Sequence, residues 1–181
     1  MVAHITYGAS IPGESELRLC GEITDGHRAV ELGISPWFNS LEFALQGTKA
    51  IAVDPDPARI GEMRERADAA EVVVQCLTSE LADLGEITSA TCDVTLAAQT
   101  IGDADDLGRL LRQVHRILKP GALFIAAVPH PFQSVTKGHP YGAGERTVGD
   151  WFTALGRANF RVDQLRELCL LYTSPSPRDR S

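Results

Sequence analysis

The chain has 181 residues, 44% hydrophobic and 23% charged, the mixture of one globular domain and not of a disordered chain. It carries 17 basic against 24 acidic residues, a net charge of −7, which repels phosphate backbones and disfavours nucleic acid as the main partner. No apolar run approaches the ~20 residues that span a bilayer, and the first residues lack a basic stretch followed by an apolar one, so neither a membrane anchor nor a secretory signal is read.

Residues 1–27 read as a lead-in. RAVEL at 28–32 is a short first strand. Ser35-Pro36 then looks like a helix start: serine accepts from free N–H groups, and proline at the first helical position loses no bond it needed. Gly47 fits the stop. KAIAV at 49–53 is a buried second strand, and Asp56-Pro57 repeats the cap-and-proline device for a helix to about Ala69. EVVVQC at 71–76 and CDVTLA at 92–97 read as the third and fourth strands. A helix follows over 105–118, with Leu107, Leu110, Leu111, Val114 and Leu118 at helical spacing.

Lys119-Pro120-Gly121 breaks that helix, and ALFIAAV at 122–128 is the best candidate for a central strand. Residues 133–146 are a Gly- and Pro-rich loop. Residues 147–158 are a helix, with Thr147 three before Asp150 as a capping pair, and 160–165 are a sixth strand. The alternation is α/β, with a mostly parallel sheet and helices on both faces.

The four cysteines (Cys20, Cys76, Cys92, Cys169) form no C-x-x-C pair and the five histidines no H-x-x-x-H pair. Reduced thiols in a cytoplasmic protein are expected, without disulfide or metal site. Residues 169–179, CLLYTSPSPRD, resemble a reading-frame translation of a transposase sequencing adapter. The expectation is a domain over 28–168 whose last strand or strands are missing, followed by a non-native disordered tail over 169–181. A native Ser/Pro-rich tail is the alternative.

Chemistry concentrates where the first two strands end. A strand, Gly33 and a helix in succession let a ligand approach the backbone. Asp54 ends the next strand, near the ~20-residue spacing at which a carboxylate meets ribose hydroxyls. In the dinucleotide template G-x-G-x-x-G the second and third glycines fall on Ser35 and Phe38, and the phenylalanine crowds a pyrophosphate. Glu31 repels a pyrophosphate and suits a ligand ammonium. S-adenosylmethionine, with ammonium, sulfonium and ribose but no phosphate, matches this charge pattern better.

E-L-G at 31–33, A-I-A-V-D at 50–54 and Q-V-H-R-I-L-K-P-G at 113–121 together resemble a class I S-adenosylmethionine-dependent methyltransferase, over roughly 28–132. The resemblance implies a Rossmann-like sheet and S-adenosylmethionine as cofactor. It sets Glu31, Gly33, Ile34, Ser35 and Asn39 at the methionine part, Asp54 on the ribose, and Pro55, Glu80 and Leu81 around the adenine. Ala97, Ala98 and Gln99 fall beside the methionine moiety and substrate. The family loop E/D-x-G-x-G-x-G is here E-L-G-I-S-P-W, with Ser35 and Trp37 replacing two glycines.

After the fifth strand, His130 is a candidate general base or a histidine bonded at a strand end. Tyr141 and Arg146 are candidate contacts to an anionic substrate or parts of a solvated loop. His115 reads as a surface or packing residue, and Asp103, Asp105 and Asp106 as favouring a helix N-terminus. The expected activity is methyl transfer to a small molecule. The alternatives are a non-catalytic cofactor-binding module and, less favoured, a nicotinamide-dependent oxidoreductase. The sequence carries no signal for an oligomeric state.

Overall fold

The computed structural model describes residues 4–9 and 11–168; the tail expected over 169–181 lies outside them. Five strands form one sheet: β1 (Arg28–Leu32), β2 (Lys49–Asp54), β3 (Val74–Thr78), β4 (Cys92–Ala98) and β5 (Leu118–Ala127). Their order is β3-β2-β1-β4-β5, with every pairing parallel. The order reverses beside β1, so the crevice at the C-terminal ends of β1 and β4 is the ligand position of a doubly wound sheet.

The helices are α1 (Glu14–Leu17), α2 (Asn39–Leu45), α3 (Pro57–Ala69), α4 (Leu107–Ile117), α5 (Phe132–Thr136) and α6 (Val148–Arg157). On one face, Leu107, Leu110, Leu111, Val114 and Ile117 of α4 pack on Val30, Leu32, Val53 and Ala97, with Trp151 and Leu155 of α6 against them. On the other face, Phe43 and Ala44 of α2 join Val94 and Leu96, while Ile60 and Met63 of α3 pack with Ile34, Phe38 and Ala52. Ile5, Tyr7, Leu17 and Cys20 are buried in the same layer as α2, so the lead-in is part of the core.

Three helix starts follow their local chemistry. The Asp56 side chain accepts from Ala58 N–H with proline in the first turn, and Asp106 accepts from Arg109 N–H. Thr147 and Asp150 form a reciprocal capping box. The ring of His115 meets Phe160 edge-on at 5.4 Å, a packing role.

Other expectations are corrected. α2 starts at Asn39, not at Ser35-Pro36, with Phe38 at its N-cap in the left-handed region (φ 52°). β3 starts at Val74, since Glu71 takes a positive φ and the chain is still leaving α3. Lys119-Pro120-Gly121 ends the helix but lies inside β5, as a bulge between the Cys92–Leu118 and Val94–Leu123 pairs. The apolar run expected as a central strand is at the sheet edge, and β1 is central. Residues 160–165 form no strand, because none of the described strands pairs with them.

Candidate site at the C-terminal ends of β1, β2 and β4

The loop after β1 is organised by two carboxylates. Glu31 is fully buried and takes five donors. Its Oε1 accepts from Ser35 N–H (3.1 Å), Ser35 Oγ (2.8 Å) and Asn39 N–H (3.1 Å). Its Oε2 accepts from Ser40 N–H (2.8 Å) and Ser40 Oγ (2.6 Å). Every partner is a donor, the complement of an ionised carboxylate. This explains the late helix start: Glu31 claims the N–H groups of 35, 39 and 40, and the chain between them turns around its side chain.

Asp54, 8% exposed at the end of β2, holds the loop from the other side. Its Oδ2 accepts from Ile34 N–H at 2.7 Å and its Oδ1 from Asp56 N–H at 2.8 Å. Between the carboxylates, Gly33 has φ +77° and donates to Val53 O at 2.8 Å.

The other sequence candidates fall around this ring. Asp54 pairs in register with Thr78, two residues before Glu80, which is exposed, while Leu81 packs against the core. Pro55 is exposed. Ala97 and Ala98 are fully buried, in the cores of opposite faces. Gln99 is exposed, with φ 64°; its N–H donates to Ala127 O (2.8 Å) and its Nε2 to Tyr7 O (3.3 Å). Asn39 is buried, and its carboxamide exchanges two bonds with the backbone of Thr6. Trp37 packs into the α2 face, and Phe38 lies beneath the Arg66 guanidinium, 4.0 Å from its ring centre.

Three expected contacts find other partners. Glu31 does not face a ligand ammonium, because its acceptor positions are filled from within. Arg146 donates to the carbonyls of Gly102 and Ala104 and so ties the loop after β5 to the loop after β4; it is not free for an anionic substrate. His130 receives Phe132 N–H on Nδ1 (3.1 Å) and meets Glu167 Oε1 through Nε2 (2.7 Å), which leaves neither ring nitrogen open as a base. Tyr141 is half-exposed in its loop. Arg146 also lines a cavity of about 520 Å3 with Gly102, Asp103, Asp105, Glu145 and Asp150.

The sequence reading missed Thr6, Tyr7, Ser40 and Thr100. Thr100 packs on Gly33 and donates from Oγ1 to Leu32 O at 2.5 Å. Ser40, nine positions beyond Glu31, had a readable signal: a carboxylate followed by serines and an asparagine at offsets four, eight and nine. The other three act across long sequence separations and leave no local mark.

The donor set discriminates between ligands. Loop amides that cradle a pyrophosphate elsewhere are here bound to carboxylates, Ile34 N–H to Asp54 and Ser35 N–H to Glu31. A phosphate would meet two carboxylates and no free donor at those positions. The ribose of S-adenosylmethionine fits: each Asp54 oxygen holds one backbone donor and keeps a lone pair for a hydroxyl. Among the described residues, no group of three His, Cys, Asp or Glu side chains is placed to hold a metal ion.

Comparison with known proteins agrees with this arrangement. The methyltransferase domain family matches residues 30–126, more than half of the chain. A ubiquinone biosynthesis O-methyltransferase of Azorhizobium caulinodans is 31% identical over 105 residues, covering 56% of this chain and 40% of that protein. The enzyme of the same description from Rhodopseudomonas palustris is 28% identical over 104 residues, covering 56% and 39%. The chain thus spans about two fifths of the length of these curated relatives.

Among solved structures, a SAM-dependent methyltransferase from Aquifex aeolicus superposes with a TM-score of 0.72 at 18% identity, over 86% of this chain and 82% of that one. An S-adenosylmethionine-dependent methyltransferase from Mesorhizobium loti gives 0.68 at 22%, over 90% and 86%. At these identities the likeness is one of fold. The parallel sheet, the carboxylate-bound loop after β1 and the family match place this chain in the methyltransferase domain family, with the Rossmann-like fold of class I S-adenosylmethionine-dependent methyltransferases.

Proposed function

We propose that the chain binds S-adenosylmethionine across the ends of β1, β2 and β4 and transfers its methyl group to a small molecule. The observation that carries this is Asp54: a strand-end carboxylate with one open lone pair per oxygen, beside a loop whose amides are closed to phosphate. The cofactor, when bound, supplies a methyl carbon activated by the sulfonium. Asp54 accepts the ribose hydroxyls, while Pro55, Glu80 and Leu81 border the adenine. Glu31 acts at one remove by fixing the loop from Gly33 to Ser40.

The chain's own contribution to rate is alignment and exclusion of water. Both nitrogens of His130 are engaged, so no base is assigned, and an acceptor that is already a nucleophile needs none. The O-methyltransferase description of the curated relatives supports an oxygen acceptor on a small molecule. The free thiols Cys20, Cys76 and Cys92 support a reducing, cytoplasmic setting.

The engagement of Glu31, Ser35, Asn39 and Gln99 within the protein also favours a second reading, a module that binds the cofactor without turning it over. Calorimetric titration with S-adenosylmethionine, its demethylated product and nicotinamide dinucleotides, followed by a methyl-transfer assay, separates the readings. Binding of the first two with turnover supports the enzyme; binding without turnover supports the module; binding of a dinucleotide alone overturns both.

A further inference from the structure

The cavity of about 520 Å3 is walled by two loops, residues 102–105 after β4 and residues 142–146 after β5, with Asp150 in the first turn of α6. Its volume is that of a small-molecule pocket, roughly 300–1,000 Å3. It begins three residues beyond Gln99, which the family resemblance sets beside the substrate. The wall is packed. A Cβ on Gly142 (φ +71°) would lie 2.8 Å from Thr147 Cγ2, and one on Gly102 would lie 3.4 Å from Pro129 Cδ.

Four carboxylates line this space, Asp103, Asp105, Glu145 and Asp150, against the single guanidinium of Arg146. The guanidinium is already used: it donates to the carbonyls of Gly102 and Ala104, and it enters no ion pair among the described residues. Asp150 is used as well, in the capping box with Thr147. Asp103, Asp105 and Glu145 enter no ion pair among the described residues. Glu145 is the sharpest case, because its Oε2 is shut off from water and has no hydrogen-bond partner. A carboxylate oxygen in that position bears its desolvation uncompensated, and a donor entering the cavity that Glu145 lines can supply the missing bond.

The charge balance selects among ligands. An anion here would face carboxylates without a cation to spare. A metal ion is not matched, since among the described residues no group of three His, Cys, Asp or Glu side chains is placed to hold one. An ammonium is compact, carries its charge with three donors and complements carboxylates set on two loops.

We propose that this cavity is the acceptor end of the active site and that the acceptor is an organic cation, held through an ammonium-type group by Glu145 and Asp103. The proposal rests on the S-adenosylmethionine reading given above and names the charge class of its acceptor. It reverses the sign of the substrate expected at Arg146 from the sequence. Arg146 sets the distance between the two loops, and the carboxylates meet the ligand.

The test compares molecules that differ only in charge. Tyramine, tyrosol and 4-hydroxyphenylacetate share a phenol and end in an ammonium, a hydroxyl and a carboxylate. Ethanolamine, ethylene glycol and glycolate repeat the comparison on a smaller body. Each is titrated into the protein saturated with S-adenosylhomocysteine, so the cofactor's own ammonium is not what fills the cavity. The readout is the amide shifts of residues 102–105 and 142–150 in nuclear magnetic resonance. Saturable binding of at least one cation is expected, about tenfold or more tighter than its neutral counterpart, with no saturable binding of either anion. Glu145→Gln and Asp103→Asn each lower the affinity of that cation about three- to tenfold and move the neutral compound less than about twofold. Glu62→Gln, which removes an equal charge from the exposed face of α3, leaves the ratio unchanged.

An anion that binds as tightly as the matching cation would overturn the proposal. So would the absence of saturable shifts with both cations, an unaltered ratio in both cavity variants, or an equal fall in Glu62→Gln, which would reduce the effect to the net charge of the chain. A wild type that binds no S-adenosylmethionine in a separate titration would overturn the underlying reading, and with it the role of the cavity as acceptor site, whatever the cations do.

Discussion

Thr100 occupies the space that any side chain on Gly33 would need: a Cβ on Gly33 would lie 2.5 Å from Thr100 Cβ. The loop after β4 is thereby seated on the loop after β1. The glycine answers to two demands, this approach and a φ of +77°.

Gly33→Ala is expected to lower unfolding free energy by about 2–4 kcal/mol, from strain at positive φ plus overpacking against Thr100. Adding Thr100→Ala removes the overpacking but not the strain, so it restores only part of the loss. Chemical denaturation of the two variants measures both components. Full recovery in the double variant would mean that backbone conformation plays no part.

Glu31→Ala leaves Ser35, Asn39 and Ser40 with buried donors and no acceptor. A loss of about 3–5 kcal/mol is expected, as for a buried group stripped of its charged partner. The loss should be nearly the same with and without cofactor analogue, because Glu31 touches the loop and not the ligand. A loss confined to binding affinity, with wild-type stability, would return Glu31 to the ligand shell.

Asp54→Asn keeps an acceptor for one of the two backbone N–H groups and removes the charge offered to the ribose. Affinity for S-adenosylmethionine is expected to fall by about 1.5–3 kcal/mol in calorimetry. Asp54→Ala is the poorer test, since it also frees Ile34 and Asp56 N–H and weakens the fold. Unchanged affinity in a folded Asp54→Asn protein would reject the assignment.

Burial pushes the Cys20 thiol up to about 12 from an ordinary 9.0, and it raises the Tyr7 phenol as well. Both groups stay protonated in the folded chain at pH values where the unfolded chain releases their protons. Their contribution is therefore complete below about pH 9 and is lost as pH rises from there towards 12. Denaturant midpoints measured from pH 8 to 11 should decline, and Cys20→Ala should flatten the decline. The same thiol should resist alkylation at pH 8 until the chain is unfolded.

What could be read in the sequence was whatever rests on neighbours along the chain. KAIAV announced β2 because a doubly covered parallel strand is almost continuously apolar, and RAVEL announced β1 through Ala29, Val30 and Leu32 although Glu31 interrupts the run. Asp56-Pro57, Asp106 and Thr147 announced helix starts, because a cap acts within three residues. The apolar run of β5 carries no information about lateral position, so an edge strand looked central. The start of α2 was misplaced because Glu31, a long-range acceptor, outcompeted the local device of Ser35-Pro36. Around the site, Gly33 and Asp54 could be placed from strand ends, whereas the side-chain partners of Asn39, Gln99 and Arg146, and the Glu167 partner of His130, come from segments distant in sequence.

Glu31 has a consequence for solution behaviour. Its charge is balanced wholly by backbone N–H and hydroxyl dipoles, with no cation among its hydrogen-bond partners and none of its surface in contact with solvent. Mobile ions screen charges that face water and barely reach one enclosed in this way. The loop from Gly33 to Ser40 should therefore keep its shape from low to molar salt, while exposed pairs such as Arg66 with Glu62 lose what little they contribute. Ionic strength thus becomes a probe that leaves the cofactor loop alone and reports on the periphery.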